Sequence, residues 1–293
     1  MGTNRDFPDA REGTPYTSEP RLLLRTERYT EGVVVGGDGA VYFSMTALGT
    51  ISRFVPGRDT AATVWAHVPD ANGHAIDTAG SHVVMSSTGA VLRLDSTGRI
   101  VEVVASRVDG RWLIYPNDVA LDPHRGGFYI TDSGYKATPK TFPHDPQGRV
   151  YRIDRSGEVR LVADAIAYSN GVALSPDGSR LYVGESTARR LWSYPVRRDG
   201  GLGERALLAD VPGPHDAAVP DGISVDAQGR IYVANHGARE VLVYGPDGAL
   251  VNRLDAGNRA ASHVAFAPDG STLYVSGGIE SEEGAGAIFA IAR

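Results

Sequence analysis

Six oxygen-bearing side chains recur at one position of a repeated pattern: Glu31, Asn72, Asn117, Asn170, Asp221 and Ser262. Each stands eight residues before a turn glycine; for Asn117 the count is nine, because His124-Arg125 adds a residue. None of the six is Lys, Arg or aliphatic. Neutral amides brought together need only hydrogen bonds. Two carboxylates brought together need a counter-charge, since buried anions without a partner are costly. A hard divalent cation supplies it, and an all-oxygen set of Asp, Glu and Asn suits Ca2+, with Mg2+ or Mn2+ as alternatives. Zn2+ stays within the range but fits less well, because the chain has no cysteine and no histidine occupies the set.

The elements that would bring these residues together are short strands. The turn glycines are Gly39, Gly80, Gly126, Gly178, Gly229 and Gly270, spaced by 41, 46, 52, 51 and 41 residues. Each precedes an apolar strand such as Leu181-Tyr182-Val183 or Ile231-Tyr232-Val233. A third strand follows in every copy and a fourth in most, with no amphipathic helix between them. Units of this period and strand count describe a six-bladed β-propeller, an all-β fold of four-stranded blades around a central channel. A β-sandwich is the rival, and six copies in register speak against it. The innermost strand of each propeller blade lines the channel, so one equivalent position per blade forms a ring. The last copy ends at Arg293 with little chain left for a fourth strand, so Arg21–Arg25 is the expected ring-closing strand. Residues 1–20 are expected to be a flexible segment and 21–293 a single propeller domain.

The second strand ends where the first begins, because the two run antiparallel. Three residues after its tyrosine come Asp132, Glu185 and Asn235. Asp132 is expected to add a third carboxylate to the ring, and Glu185 to be a solvated or salt-bridged rim residue. The Pro-containing stretches 136–147 and 211–220 share that mouth and are expected to wall a pocket. By register His74, His215, His236 and His263 lie near it as candidate substrate-side groups. Trp112, Tyr115, Tyr135 and Phe142 offer an apolar wall.

Composition excludes other classes. The net charge is −6 with no basic run, which argues against a nucleic-acid partner. No apolar run is long enough to span a membrane. The first 20 residues are polar and lack the apolar run of a signal peptide. The expectation is a cytoplasmic protein, monomeric or weakly homo-oligomeric. No Gly-x-Ser-x-Gly elbow, P-loop or dinucleotide fingerprint is present.

At Tyr115-Pro116-Asn117-Asp118-Val119, Phe128-Tyr129-Ile130-Thr131-Asp132, Ser169-Asn170-Gly171-Val172-Ala173-Leu174 and Pro220-Asp221-Gly222-Ile223 the sequence resembles the gluconolactonase/regucalcin family of calcium-dependent lactonases. Glu31-Gly32 looks like the family's opening Glu-Gly-Pro, with Val33 in place of the proline. The stretches Thr131–Tyr135 and Gly184–Arg190 look more like the drug-responsive lactonase branch. The resemblance implies a metal held at Glu31, Asn170 and Asp221, joined by Asp132 in that branch, with Asn117 as a further ligand or a substrate contact. It implies an acid/base role for Asp221, or alternatively Asp132, and a second calcium at which Asp122 could serve. Asn72, Asn117, His74, His215 and His236 are then the substrate-binding candidates. The expected reaction is opening of a lactone or ester by a water attacking a polarised carbonyl. A calcium-dependent organophosphate hydrolase, a non-catalytic calcium-binding propeller and a biosynthetic relative are the alternatives.

Overall fold

The structure, a computed structural model, describes residues 16, 19–134, 146–213 and 218–293. Six four-stranded antiparallel sheets follow one another along the chain and form the blades of a β-propeller. The innermost strands are Glu31–Val35, Ala71–Ile76, Pro116–Leu121, Ser169–Leu174, Val219–Val225 and Ala260–Phe266, one in each of blades one to six. In blades one to five the chain runs from the innermost to the outermost strand. Blade six takes three strands from the end of the chain and its outermost strand, Arg21–Thr26, from the beginning. The pairing is antiparallel from Arg21↔Ala290 to Thr26↔Gly286, which closes the ring. Among the described residues no helix is long and apolar enough to cross a membrane.

Local chemistry explains why these segments pair. Each of the six turn glycines has a positive φ, between 66° and 80°. This left-handed conformation strains residues with a Cβ and is free to glycine. The turns are further held by aspartates that accept backbone N–H groups, as Asp77 does from Ala79 and Ser81 and Asp226 from Gln228 and Arg230. The hydrophobic core is divided into six clusters, each between two neighbouring blades. One joins Tyr129, Val150 and Ile166 of blade three to Val172, Leu181 and Val183 of blade four. The core therefore lies between blades, and the innermost strands leave a channel along the axis, polar at one end and largely apolar at the other.

Tyr16 lies within the stretch expected to be flexible, yet it is buried between blades five and six. Its ring meets Tyr232 edge-on at 5.8 Å, stacks near Phe266 at 6.3 Å and lies under the Arg293 guanidinium. Its hydroxyl donates to the Gly270 carbonyl at 2.8 Å.

Candidate functional site

Every innermost strand carries a β-bulge opposite its neighbour, and the bulge falls at the recurring polar position. The pairing jumps from Glu31↔Ser44 to Val34↔Tyr42, from Ser169↔Glu185 to Val172↔Val183, and likewise in the other blades. A bulge frees residues from the ladder and turns their side chains. Here it aims one polar side chain per blade at the axis. Glu31, Asn72, Asn117, Asn170 and Asp221 line one cavity of about 400 Å3. Ser262 is buried beside it and donates its hydroxyl to the Thr30 carbonyl at 2.7 Å, which ties blade six to blade one.

Above and below this ring are two further layers in the same register. Two residues earlier come Tyr29, Asp70, Tyr115, Tyr168 and Val219, all of which line the cavity wall. One residue later come Gly32, Gly73, Asp118, Gly171, Gly222 and His263. A Cβ built on Gly171 would lie 2.2 Å from the Asp221 carbonyl, and one on Gly32 2.2 Å from the Asn72 carbonyl. Neighbouring innermost strands thus touch backbone to backbone at this level, and only glycine fits between them. Where the glycine is missing, Asp118 and His263 meet across the axis at 3.5 Å. Asp118 also accepts the N–H groups of Val119 and Val172. This pair floors the cavity.

The ring amides are oriented by serines. Ser186 gives its one proton to the Pro220 carbonyl at 2.6 Å, so it must accept from Asn170 Nδ2, 3.0 Å away. Ser87 stands in the same relation to Asn72 and the Pro116 carbonyl. The Asn170 Oδ1 atom is left buried with no hydrogen-bond partner among the described residues. Burial pushes the Glu31 carboxyl up to about 7, with Glu282 adding to it and the Tyr29 hydroxyl pulling the other way. Burial, with the charges of Glu31 and Glu282, holds Asp221 well above the usual carboxylate range, and the Asn170 amide opposes them. No Lys or Arg stands among the described lining residues to offset the two carboxyls. Among the described residues no three His, Cys, Asp or Glu gather as a metal-binding group. The set is instead two carboxylates with amide oxygens, one of them an orphaned buried oxygen, and such donors fit a hard divalent cation. Glu31, Asn170 and Asp221 would be the residues to hold one, with Asn117 beside them.

Five expectations differ from what the structure places here. Asp132 does not line the cavity; its carboxylate accepts the N–H groups of Ile114, Tyr115 and Gly134 at 2.8–3.1 Å. Those contacts use both oxygens to hold the loop leading into Asn117. Glu185 does the same for Ala167 and also takes the Trp192 indole N–H, so it is buried rather than solvated. His74 lies on the far side of the floor, where its Nε2 meets His82 Nδ1 at 2.7 Å. Asp122 caps the blade-three turn, accepting from His124 and Arg125, and faces the buried Arg152 guanidinium at 3.4 Å. A cation partner already stands where a second metal was expected. Trp112 is 60% exposed, under Arg107, and walls nothing. His236 does line the cavity. His215, Tyr135 and Phe142 fall outside the described residues.

The sequence reading passed over Tyr29, Tyr168, Asp70, Asp118 and Glu282. The first four were accessible, because they sit two residues before or one after the ring position. Glu282 belongs to the loop between the second and third strands of blade six, whose length differs from that of the equivalent loops in the other blades, so no register pointed to it.

With this geometry in hand, comparison with known proteins is informative. Residues 29–278 match the family described as SMP-30/Gluconolactonase/LRE-like region. The chain belongs to this family. The gluconolactonase of Zymomonas mobilis is 29% identical over 220 residues, covering 71% of this chain and 61% of that protein. The diisopropyl-fluorophosphatase of Loligo vulgaris is 27% identical over 194 residues, covering 64% and 61%. The chain thus spans about three fifths of the length of these relatives. The solved structure of a gluconolactonase from Xanthomonas campestris superposes with a TM-score of 0.79 at 23% identity, covering 94% of this chain and 95% of that one. It shares the fold of the family member described here.

Proposed function

We propose that this chain is a divalent-metal-dependent lactonase, with Ca2+ as the metal. The observation that carries the reading is the pairing of the half-buried Glu31 and buried Asp221 carboxyls with the orphaned Asn170 oxygen, in a cavity that admits a small ligand and has no Lys or Arg among its described lining residues. Family membership and the gluconolactonase relative point the same way. Bound at Glu31, Asn170 and Asp221, a divalent cation supplies polarisation of an ester carbonyl and a counter-charge for the developing oxyanion.

The chain's own groups do the rest. Burial holds the phenols of Tyr29, Tyr115 and Tyr168 above their usual range, so they stay protonated; the Tyr29 hydroxyl donates to Glu31, and those of Tyr115 and Tyr168 can donate to the lactone oxygens. The floor of Asp118, His263 and the glycine layer stops the ligand from sliding down the channel. An Asp221 carboxylate oxygen takes a proton from the attacking water as the C–O bond to the carbonyl carbon forms. The same oxygen returns it to the alkoxide as the ring C–O bond breaks, leaving a hydroxy acid.

Replacement of Asp221 by Asn keeps the shape and removes the base. We expect kcat/KM on a responsive lactone to fall roughly a thousandfold, while the thermal unfolding midpoint holds. Chelation should abolish activity, and Ca2+ should restore it. Full activity in Asp221→Asn would overturn the assignment. A phosphotriester belongs in the same panel, because one relative carries the name of a fluorophosphatase; turnover of that ester alone would move the reading to phosphoryl chemistry.

A further inference from the structure

The hydroxyls that hold the ring follow a register of their own. One residue beyond the position of Asp132, Glu185 and Asn235 come Thr46, Ser87, Ser133, Ser186, His236 and Gly278, in blades one to six. In the first four blades the hydroxyl donates to the carbonyl just before the next blade's ring residue. Thr46 donates to Ala71, Ser87 to Pro116, Ser133 to Ser169 and Ser186 to Pro220, at 2.6–3.3 Å. Each bond clasps one blade to the next at the level of the ring.

Ser186 differs from the others in what its clasp joins. It is buried and lines the cavity. Its backbone N–H donates to the Tyr168 carbonyl at 3.1 Å, and Glu185 before it accepts the Ala167 N–H and the Trp192 indole N–H, so the hydroxyl starts from a fixed place. It accepts from the Asn170 amide on its own blade and donates to the peptide before Asp221 on the next. The same amide hydrogen-bonds the Asp221 carboxyl. Of the three residues that would hold the cation, two therefore meet at one hydroxyl. That hydroxyl has a single proton, and the Pro220 carbonyl can only accept it. Turning the Asn170 amide over would set its oxygen against the serine's lone pairs. The nitrogen thus faces Ser186, and the oxygen remains for a cation.

We propose that Ser186 is a positioning residue for the metal: it holds the Asn170 amide with its oxygen free to bind and fixes the spacing between Asn170 and Asp221. The inference rests on the divalent-metal reading of the ring. It also bears on why an amide stands at position 170. A carboxylate there has no proton to give and would compete with the Pro220 carbonyl for the one the serine holds. The clasp keeps the set at two carboxylates, the charge that one divalent cation balances.

The test measures Ca2+ binding to metal-stripped protein by calorimetry, with metal-free denaturant unfolding read in parallel. Residues that orient metal ligands typically cost tenfold or more in affinity when removed, so Ser186→Ala should bind Ca2+ about tenfold more weakly than the wild type. Ser186→Thr keeps the hydroxyl and should recover the affinity to within about threefold. Thr46→Val breaks the same kind of clasp, at a junction whose ring amide, Asn72, is outside the three. It should lower metal-free stability as Ser186→Ala does and leave Ca2+ affinity within about twofold of the wild type. A Ser186→Ala protein that binds Ca2+ as tightly as the wild type overturns the positioning role and leaves the metal reading standing. So does a Thr46→Val protein that loses as much affinity, or a Ser186→Thr protein that binds no better than Ser186→Ala. A wild type that binds no Ca2+ overturns the metal reading and this inference with it.

Discussion

His74 and His82 meet ring to ring below the cavity floor, enclosed by Tyr42 and Trp65. Burial lowers the His82 pKa from 6.5 to about 4, only partly opposed by Asp77 and Asp38, and lowers His74 well below its usual value. The folded protein thus binds these protons less readily than the unfolded chain. Their contribution to stability is present above pH 6.5 and is lost as the pH falls toward 4. For His82 alone that is on the order of 3 kcal/mol. The unfolding midpoint, followed from pH 7 to pH 4, should fall more steeply in the wild type than in His82→Phe. Parallel curves would show that the pair carries no such penalty. Neither histidine's role was legible beforehand. Register placed His74, two residues after Asn72, near the mouth, but the bulge between Ala71 and His74 puts the two residues on opposite sides of the floor.

Strands and their bulges set most of the site, and this is the level at which the sequence was most readable. The turn glycines located all six blades, and the offset from each glycine located the ring. The offset works because the strand period of two and one bulge recur in each copy, so the same count ends at the axis every time. The count fails at the far end of the second strand. Asp132 shares its register position with Glu185 and Asn235, and all three hold the loop before the neighbouring innermost strand. Only three-dimensional proximity to backbone N–H groups separates such a clamp from a ligand. Asp132→Asn should therefore cost about 2 kcal/mol in metal-free protein, because one acceptor oxygen becomes a donor facing N–H groups. Metal-free denaturant unfolding reads this directly. A residue that served only as a ligand would leave that value unchanged or raise it, by relieving repulsion between carboxylates.

At the scale of the whole molecule, the core is six wedges between blades, and each blade depends on both neighbours. Closure of the ring was legible from arithmetic, since the last copy lacked a strand and the start of the chain had one to spare. Tyr16 was not legible, because a single aromatic in a polar, Pro-containing segment has no periodicity to announce its burial. It fills the wedge between blades five and six, next to the closing sheet. Tyr16→Ala should cost about 3 kcal/mol, measured as a drop in the unfolding free energy. Tyr16→Phe should lose only the part due to the hydroxyl bond to Gly270. Equal stability of Tyr16→Ala and the wild type would mean that the wedge is sealed without it.

The closing pair also determines how the ring responds to force. Arg21 and Ala290 stand opposite each other at one end of an antiparallel pair, so the two chain ends leave from the same side. Tension between them peels that pair open one rung at a time, as a zipper opens, instead of loading all its hydrogen bonds at once in shear. Tyr16 and Arg293 form the tab of that zipper. Under load the propeller would open at this seam, with five blades still whole, and the polar ring would lose Glu31 and Ser262 as neighbours before any other contact around the axis gave way.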